Sequence, residues 1–160
     1  MIDTYLQLEP IKGESTDAKH KDWIEILSFS HSVMQTGSGS VSGGASRVAG
    51  KVDMSEFTFT KRFDLSSPYL NKYCCLGTHL NKAVIELCKS TGNKEVMGKY
   101  TFENVIISNV SIGGSGEVPT ESVSFNFGKV KWEYNQLSAT KGAATKNMIA
   151  SHDLIANKTA

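Results

Sequence analysis

Residues 57–88, FTFTKRFDLSSPYLNKYCCLGTHLNKAVIELC, hold the one segment of this chain with clear helical patterning, and the reading of that stretch decides the fold. Ser67 is placed to cap a helix, Pro68 suits its first position because its φ is fixed and it has no N–H to satisfy, and Gly77 suits the residue just past the end. The expected helix is Pro68 to Leu76, with Tyr69, Leu70, Tyr73, Cys74 and Leu76 forming an apolar stripe. About nine residues of helix are not stable alone in water, so this stripe must lie against something else. Both flanks read as strand. Before the helix, Phe57 and Phe59 alternate with Thr58 and Thr60, which predicts a buried face and an opposite face carrying Thr and Lys. After it, Ala83, Ile85 and Leu87 oppose Val84, Glu86 and Cys88. A strand, helix and strand inside a chain otherwise made of strands predict a mainly β fold, an antiparallel β-barrel or sandwich with one short α-helix on its flank.

At 160 residues the chain is long enough for one domain with a substantial core. Lys and Arg number 17 against 16 Asp and Glu, and a net charge of +1 gives no reason to expect nucleic acid or an anionic membrane as partner. Near-neutrality also removes one barrier to self-association. Three cysteines, two of them adjacent, make a poor disulfide framework, so Cys74, Cys75 and Cys88 are read as thiols of a protein made in the cytoplasm. The longest apolar runs, such as Val105-Ile106-Ile107, fall far short of the roughly 20 residues of a spanning helix, and no membrane insertion is expected. Nor does the stretch Met1 to Leu6 have the charge and hydropathy of a secretory signal.

Taken in order, Thr4 to Leu8 reads as a first strand ended by Glu9-Pro10, Lys12 to Asp17 as a turn, and Asp22 to Val33 as one long strand. On that strand Ile24, Ile26, Ser28 and Ser30 share a face that turns polar along its length, as when a strand runs from packed core toward water. Gln35 to Gly50, QTGSGSVSGGASRVAG, is dominated by Gly and Ser and reads as a surface loop, free or ordered against a partner. Thr91-Gly92-Asn93 is turn chemistry between two strands, and Tyr100 to Ile112 is a long strand followed by a Gly-rich loop. In Glu121 to Tyr134 the apolar residues change parity between Phe127 and Val130, which predicts a bulge or bend at Gly128. Residues 1–136 thus form the expected β domain, and 137–160 a polar C-terminal tail, mobile or ending in a marginal helix.

No catalytic, cofactor or metal site is legible. Cys75 and His79 are four apart, but Gly77 ends the helix between them, so helical spacing does not set their geometry; buried structural thiols are the expected reading, and a thiol enzyme the competing one. His20, His31, His79 and His152 are scattered without metal-ligand spacing. Asp22 with Glu25, and Asp53 with Glu56, read as solvated carboxylates.

The order of these pieces resembles the Hcp family, the tube-forming proteins of bacterial type VI secretion systems. The resemblance rests on Lys12-Gly13-Glu14-Ser15, the strand through Ser28-Phe29-Ser30, the Gly-rich loop, and Gly50-Lys51-Val52 leading into Phe57 to Lys61. It continues through Asp64 to Leu70, Val110 to Gly116 and Glu121 to Phe127, covering about Thr4 to Tyr134. It implies a β-barrel subunit of a homo-hexameric ring, with rings stacking into a hollow tube inside a contractile sheath, a spike at the tip, and small effectors in the lumen. It further implies export without a signal peptide and no cofactor. Ser28 and Ser30 match the lumen-facing strand, and Gly37, Ser38, Gly39, Ser40, Val41, Ser42, Gly43 and Gly44 match the ring-stacking loop. The alternative is a monomeric β-barrel binding module that uses the Gly/Ser loop 35–50.

Overall fold

The structure, a computed structural model, describes residues 1–38, 48–137 and 144–160. Among these, twelve strands follow in the order β1 (Ile2–Gln7), β2 (Ile24–Ile26), β3 (Ser28–Ser30), β4 (Val33–Ser38), β5 (Val48–Met54) and β6 (Phe57–Arg62), then β7 (Leu80–Lys89), β8 (Val96–Gly113), β9 (Thr120–Asn126), β10 (Lys129–Leu137), β11 (Ala144–Asp153) and β12 (Lys158–Thr159). One helix, α1 (Ser67–Leu76), lies between β6 and β7. The fold is therefore mainly antiparallel β with one short helix.

The ladders form a circuit. β1 pairs with β2 and β7, β7 with β8, β8 with β9, β9 with β6, and β6 with β3, all antiparallel. β2 and β3 are one run of chain bent at Leu27, whose N–H donates to the Thr60 carbonyl at 2.8 Å, so the wall closes as a barrel. The single strand expected over Asp22 to Val33 is thus broken twice, because a closing wall has to turn its corners. β8 runs for 18 residues and serves two layers: Gly98 to Glu103 pair with β10, and Ile106 to Gly113 with β9. The parity change at Gly128 is a bend that separates β9 from β10, and the Gly128 N–H donates to the Glu103 carbonyl at 2.9 Å.

Two segments differ from the sequence reading. Part of the stretch read as a surface loop is a two-stranded ribbon, β4 with β5, separate from the main sheet. The expected mobile or marginally helical tail is instead strand: β11 pairs along β10, with Trp132 opposite Ala150, and β12 pairs with β11. Its weak apolar pattern does not announce a strand, but the backbone groups of β10 need partners along their open side, and residues of any polarity supply those.

Inside the barrel, Leu6, Ile24, Phe57, Phe59, Ile85, Phe102 and Phe125 are fully buried. The buried row of β6 does not stop at Phe59. Lys61 has the same parity and is also fully buried, which corrects its assignment to the polar face. Directly across the β6–β9 ladder stands Glu121, and the Lys61 ammonium lies 2.7 Å from its Oε2, 2.8 Å from Asp64 Oδ1 and 3.1 Å from Ser67 Oγ. The Ser67 hydroxyl donates to Glu121 Oε2 at 2.7 Å and accepts from the Asp64 N–H at 3.0 Å. This engagement displaces the helix start by one residue: Ser66 is the N-cap, Ser67 the first helical residue and Pro68 the second. Gly77 closes the helix in the left-handed region at φ 61°, where a side chain would be strained. Of the predicted apolar stripe, Leu70 is buried and Tyr73 and Cys74 partly so, while Tyr69 and Leu76 stay exposed.

Gly13 ties the β1–β2 connection down. Its N–H donates to the Asp22 carbonyl at 2.8 Å, and a Cβ there would lie 2.4 Å from the Trp23 carbonyl oxygen. Gly13→Ala is expected to destabilise the protein by about 2 kcal/mol in urea unfolding, since the obstructing atom is backbone. A loss within about 0.5 kcal/mol would mean that this connection yields freely.

Candidate functional site

Ser28 and Ser30 begin the surface on which the expected site residues fall. In β3, β6 and β9 alternate residues face the core. In β8 the alternation shifts at the irregularity between Ile107 and Asn109, so that Val110 packs inward and Ile112 stays exposed, and register sets the other residues side by side. Ser28 lies opposite Thr60, Thr60 opposite Ser122, and Ser122 opposite Ser111. One step along, Ser30 lies opposite Thr58, Thr58 opposite Ser124, and Ser124 opposite Asn109. The outer face therefore carries two rows of small polar groups across four strands. Ser28 Oγ and Thr60 Oγ1 are 2.6 Å apart, and Thr58 Oγ1 and Ser124 Oγ 2.9 Å. The intervening residues, Phe29, Phe59, Val123 and Val110, form part of the core or pack against it. One side of this wall is thus oily and the other wettable and uncharged. Exposed Glu56 stands beside Ser30 and Thr58 at one end, and exposed Arg62 closes β6 at the other. The sequence reading singled out Ser28 and Ser30 alone. Thr58, Thr60, Ser122 and Ser124 had a signal in the alternation of FTFT and ESVSFN, but only strand order aligns them.

His31 stands at the edge of this surface, its ring centroid 5.6 Å from Phe127, 5.8 Å from Phe102 and 6.3 Å from Phe57. Desolvation among these rings pulls its pKa below the ordinary 6.5. The unfolded chain then binds the proton first as pH falls. The stability contributed by neutral His31 is complete above 6.5 and is lost as pH falls through the depressed folded value. Urea midpoints between about pH 7.5 and 5.5 should fall more in the wild type than in His31→Phe; equal falls would remove His31 from the account.

Of the residues expected in a stacking loop, Gly37 and Ser38 belong to β4, paired with Ala49 and Val48. Gly39, Ser40, Val41, Ser42, Gly43 and Gly44 lie outside the described residues. The ribbon exposes Val33 and Met34, and an isolated two-stranded ribbon is marginal in water. A second exposed apolar surface lies on the other layer, a groove formed by Leu87, Tyr100, Trp132, Met148 and Ile149.

The thiol pair considered from sequence is not assembled. Cys75 is exposed on α1, whereas His79 turns its Nδ1 to Asn104 Oδ1 at 2.7 Å. Asp22, Glu25, Asp53 and Glu56 are all exposed. Of the four histidines, one joins a cluster of other polar side chains. His20 is buried, with Nδ1 2.6 Å from Asp17 Oδ2 and Nε2 2.7 Å from Glu86 Oε2, and Cys88 Sγ lies 3.7 Å from the same Nε2. The hydrogen bond to His20 holds the Asp17 carboxyl below its usual range, while burial, followed by the charge of Glu86, pushes the Cys88 thiol up to about 11. No periodic signal links residues 66 and 68 positions apart.

Comparison with known proteins is consistent across sequence and structure. A family model described as type VI secretion system effector, Hcp, matches residues 5–134. Protein hcp1 of Pseudomonas aeruginosa is 36% identical over 143 residues, which cover 86% of each chain. A solved structure described as a type six secretion system protein superposes with a TM-score of 0.92 at 31% identity over 100% of both chains. Hcp1 from Salmonella typhimurium follows with a TM-score of 0.80 at 33% identity over 99% of both.

Proposed function

Because the chain belongs to the Hcp family of type VI secretion system proteins, we propose that it is the structural subunit of an exported tube, six copies closing into a ring and rings stacking end to end. The observation that carries this reading is the pair of polar rows through Ser28 and Ser30, backed by a continuous core. A wall that is oily inside and evenly hydroxylated outside suits the lining of a water-filled channel, and on this reading Ser28 and Ser30 face the lumen. The exposed Val33, Met34, Met148 and Ile149 supply apolar area for neighbouring copies, and a net charge of +1 sets little repulsion against them. A head-to-tail contact of this kind closes when its rotation fits a cyclic group. Sheath, spike and lumen-borne small effectors are the partners of such a tube.

Light scattering tests the ring directly. Six copies of 17.4 kDa give about 104 kDa. A lasting monomer at micromolar concentration would overturn the reading and favour a solitary binding module. Deleting Gly39 to Gly44, which spares the paired residues Gly37 and Ser38, is expected to leave the ring mass unchanged and to reduce end-to-end association in negative-stain images. Monomers after that deletion would place the segment in the contact within a ring.

A further inference from the structure

The cluster around His20 lies away from the hydroxylated wall and has no part in the reading above. Its geometry is that of a set of metal ligands. His20 sits in the connection between β1 and β2, and its ring is held on two sides, stacked on Tyr5 at 4.3 Å and edge-on to Trp23 at 4.8 Å. Glu86 and Cys88, two apart on β7, share a face and point at the same ring nitrogen. The imidazole nitrogen, the thiol sulfur and a carboxylate oxygen all lie within 4.8 Å of one another. In a tetrahedral zinc site, bonds of about 2.0 Å to nitrogen and 2.3 Å to sulfur set those two atoms roughly 3.5 Å apart. Here His20 Nε2 and Cys88 Sγ are 3.7 Å apart without any rearrangement.

The outer shell matches as well. Asp17 receives the Nδ1–H of His20 at 2.6 Å, the carboxylate–histidine arrangement that fixes the tautomer and turns the Nε2 lone pair toward a cation. We propose that His20, Glu86 and Cys88 bind a divalent cation of the zinc class, with Asp17 as the positioning residue behind the imidazole. Imidazole and thiolate select zinc-like ions over magnesium or calcium. Glu86 has to draw back from its present 2.7 Å contact to admit the ion. Its second oxygen faces the partly exposed Lys99 at 3.7 Å, so rotation meets only a loose pairing. The partly exposed carboxylates of Asp17 and Glu86 give the ion its path in from solvent. Binding releases the proton of the Cys88 thiol, since the thiolate is the ligand. The ion would staple the β1–β2 connection to β7.

The test is titration of the metal-free, full-length protein with Co²⁺. One equivalent per chain should produce a sulfur-to-cobalt charge-transfer band that excess Zn²⁺ abolishes, and Zn²⁺ should raise Tm. The band should survive in the Cys74→Ser/Cys75→Ser double variant and vanish in Cys88→Ser, with circular dichroism confirming the fold. Asp17→Asn, whose side chain lies outside the ligand set, should bind Zn²⁺ about 10- to 100-fold more weakly while keeping the band at saturating Co²⁺. Absence of the band in the wild type, its survival in Cys88→Ser, or its loss in the Cys74/Cys75 variant would each overturn the assignment. Should Cys88→Ser fail to fold, Asp17→Asn decides, since unchanged Zn²⁺ affinity there overturns it too.

Discussion

Lys61→Met is expected to destabilise the protein by about 4 kcal/mol, read as a fall in the urea midpoint at neutral pH, although a methionine fills nearly the same space. The Lys61 ammonium is fully buried, and it is the positive group that lies against Glu121 Oε2 and Asp64 Oδ1 inside the end of the barrel. Removing it leaves the Glu121 carboxylate beneath the helix with, among the described residues, the Ser67 hydroxyl as its remaining donor. Glu121 Oε1 is already buried without a partner, and a charge stranded in this way, more than the strength of the original pair, sets the loss. The double variant Lys61→Met/Glu121→Leu should therefore recover most of the stability, because it removes the stranded Glu121 carboxylate with the ammonium, while Asp64 keeps the Ser66 N–H and hydroxyl as donors. A loss below about 1 kcal/mol for the single variant would show that water reaches the pair and that it behaves as a surface salt bridge.

Phe57→Ala should cost a similar amount, about 4 kcal/mol, by a different route. Phe57 is fully buried and central to the aromatic core, stacked on Phe29 at 5.8 Å and Phe125 at 5.2 Å, and tilted against Phe102 at 5.2 Å. Truncation leaves a cavity among stiff rings that close poorly over it, and the ring–ring contacts are lost with it. Its neighbour Thr58 faces the other side of the same strand, so the packing of Phe57 also fixes the hydroxyl rows. The same variant should consequently raise amide exchange along β6 and β9, and a loss below about 1.5 kcal/mol would mean that the core collapses around the gap.

The pattern of residues carried the wall of the barrel but not its contents. Alternation in Phe57 to Thr60 and in Val123 to Phe127 identified strands, because a half-buried strand writes its two faces into every second residue. Pro68 and Gly77 marked the helix to within one residue. Lys61 was misplaced because charge outweighs parity in such a reading, whereas in the fold a partner across the ladder lets a charge follow the buried row. The strand at Ala144–Asp153 was missed since its mixed sequence follows the hydrogen-bonding needs of β10 and not any preference of its own. His20 and Cys88 meet only because the β1–β2 connection folds back over β7, a contact 68 residues long in sequence. Of the two polar rows, Ser28 and Ser30 were singled out through family resemblance, and the rest emerge through register alone.

Those rows have a consequence for whatever passes over them. In the Ser28–Thr60 and Thr58–Ser124 pairs either hydroxyl can donate, and reversing the pair exchanges which proton is left free, so the surface answers an approaching acceptor or donor alike and grips neither. On the reading proposed above, a passenger of either sign would glide along it, with the acid Glu56 bounding the rows at one end and the base Arg62 at the other.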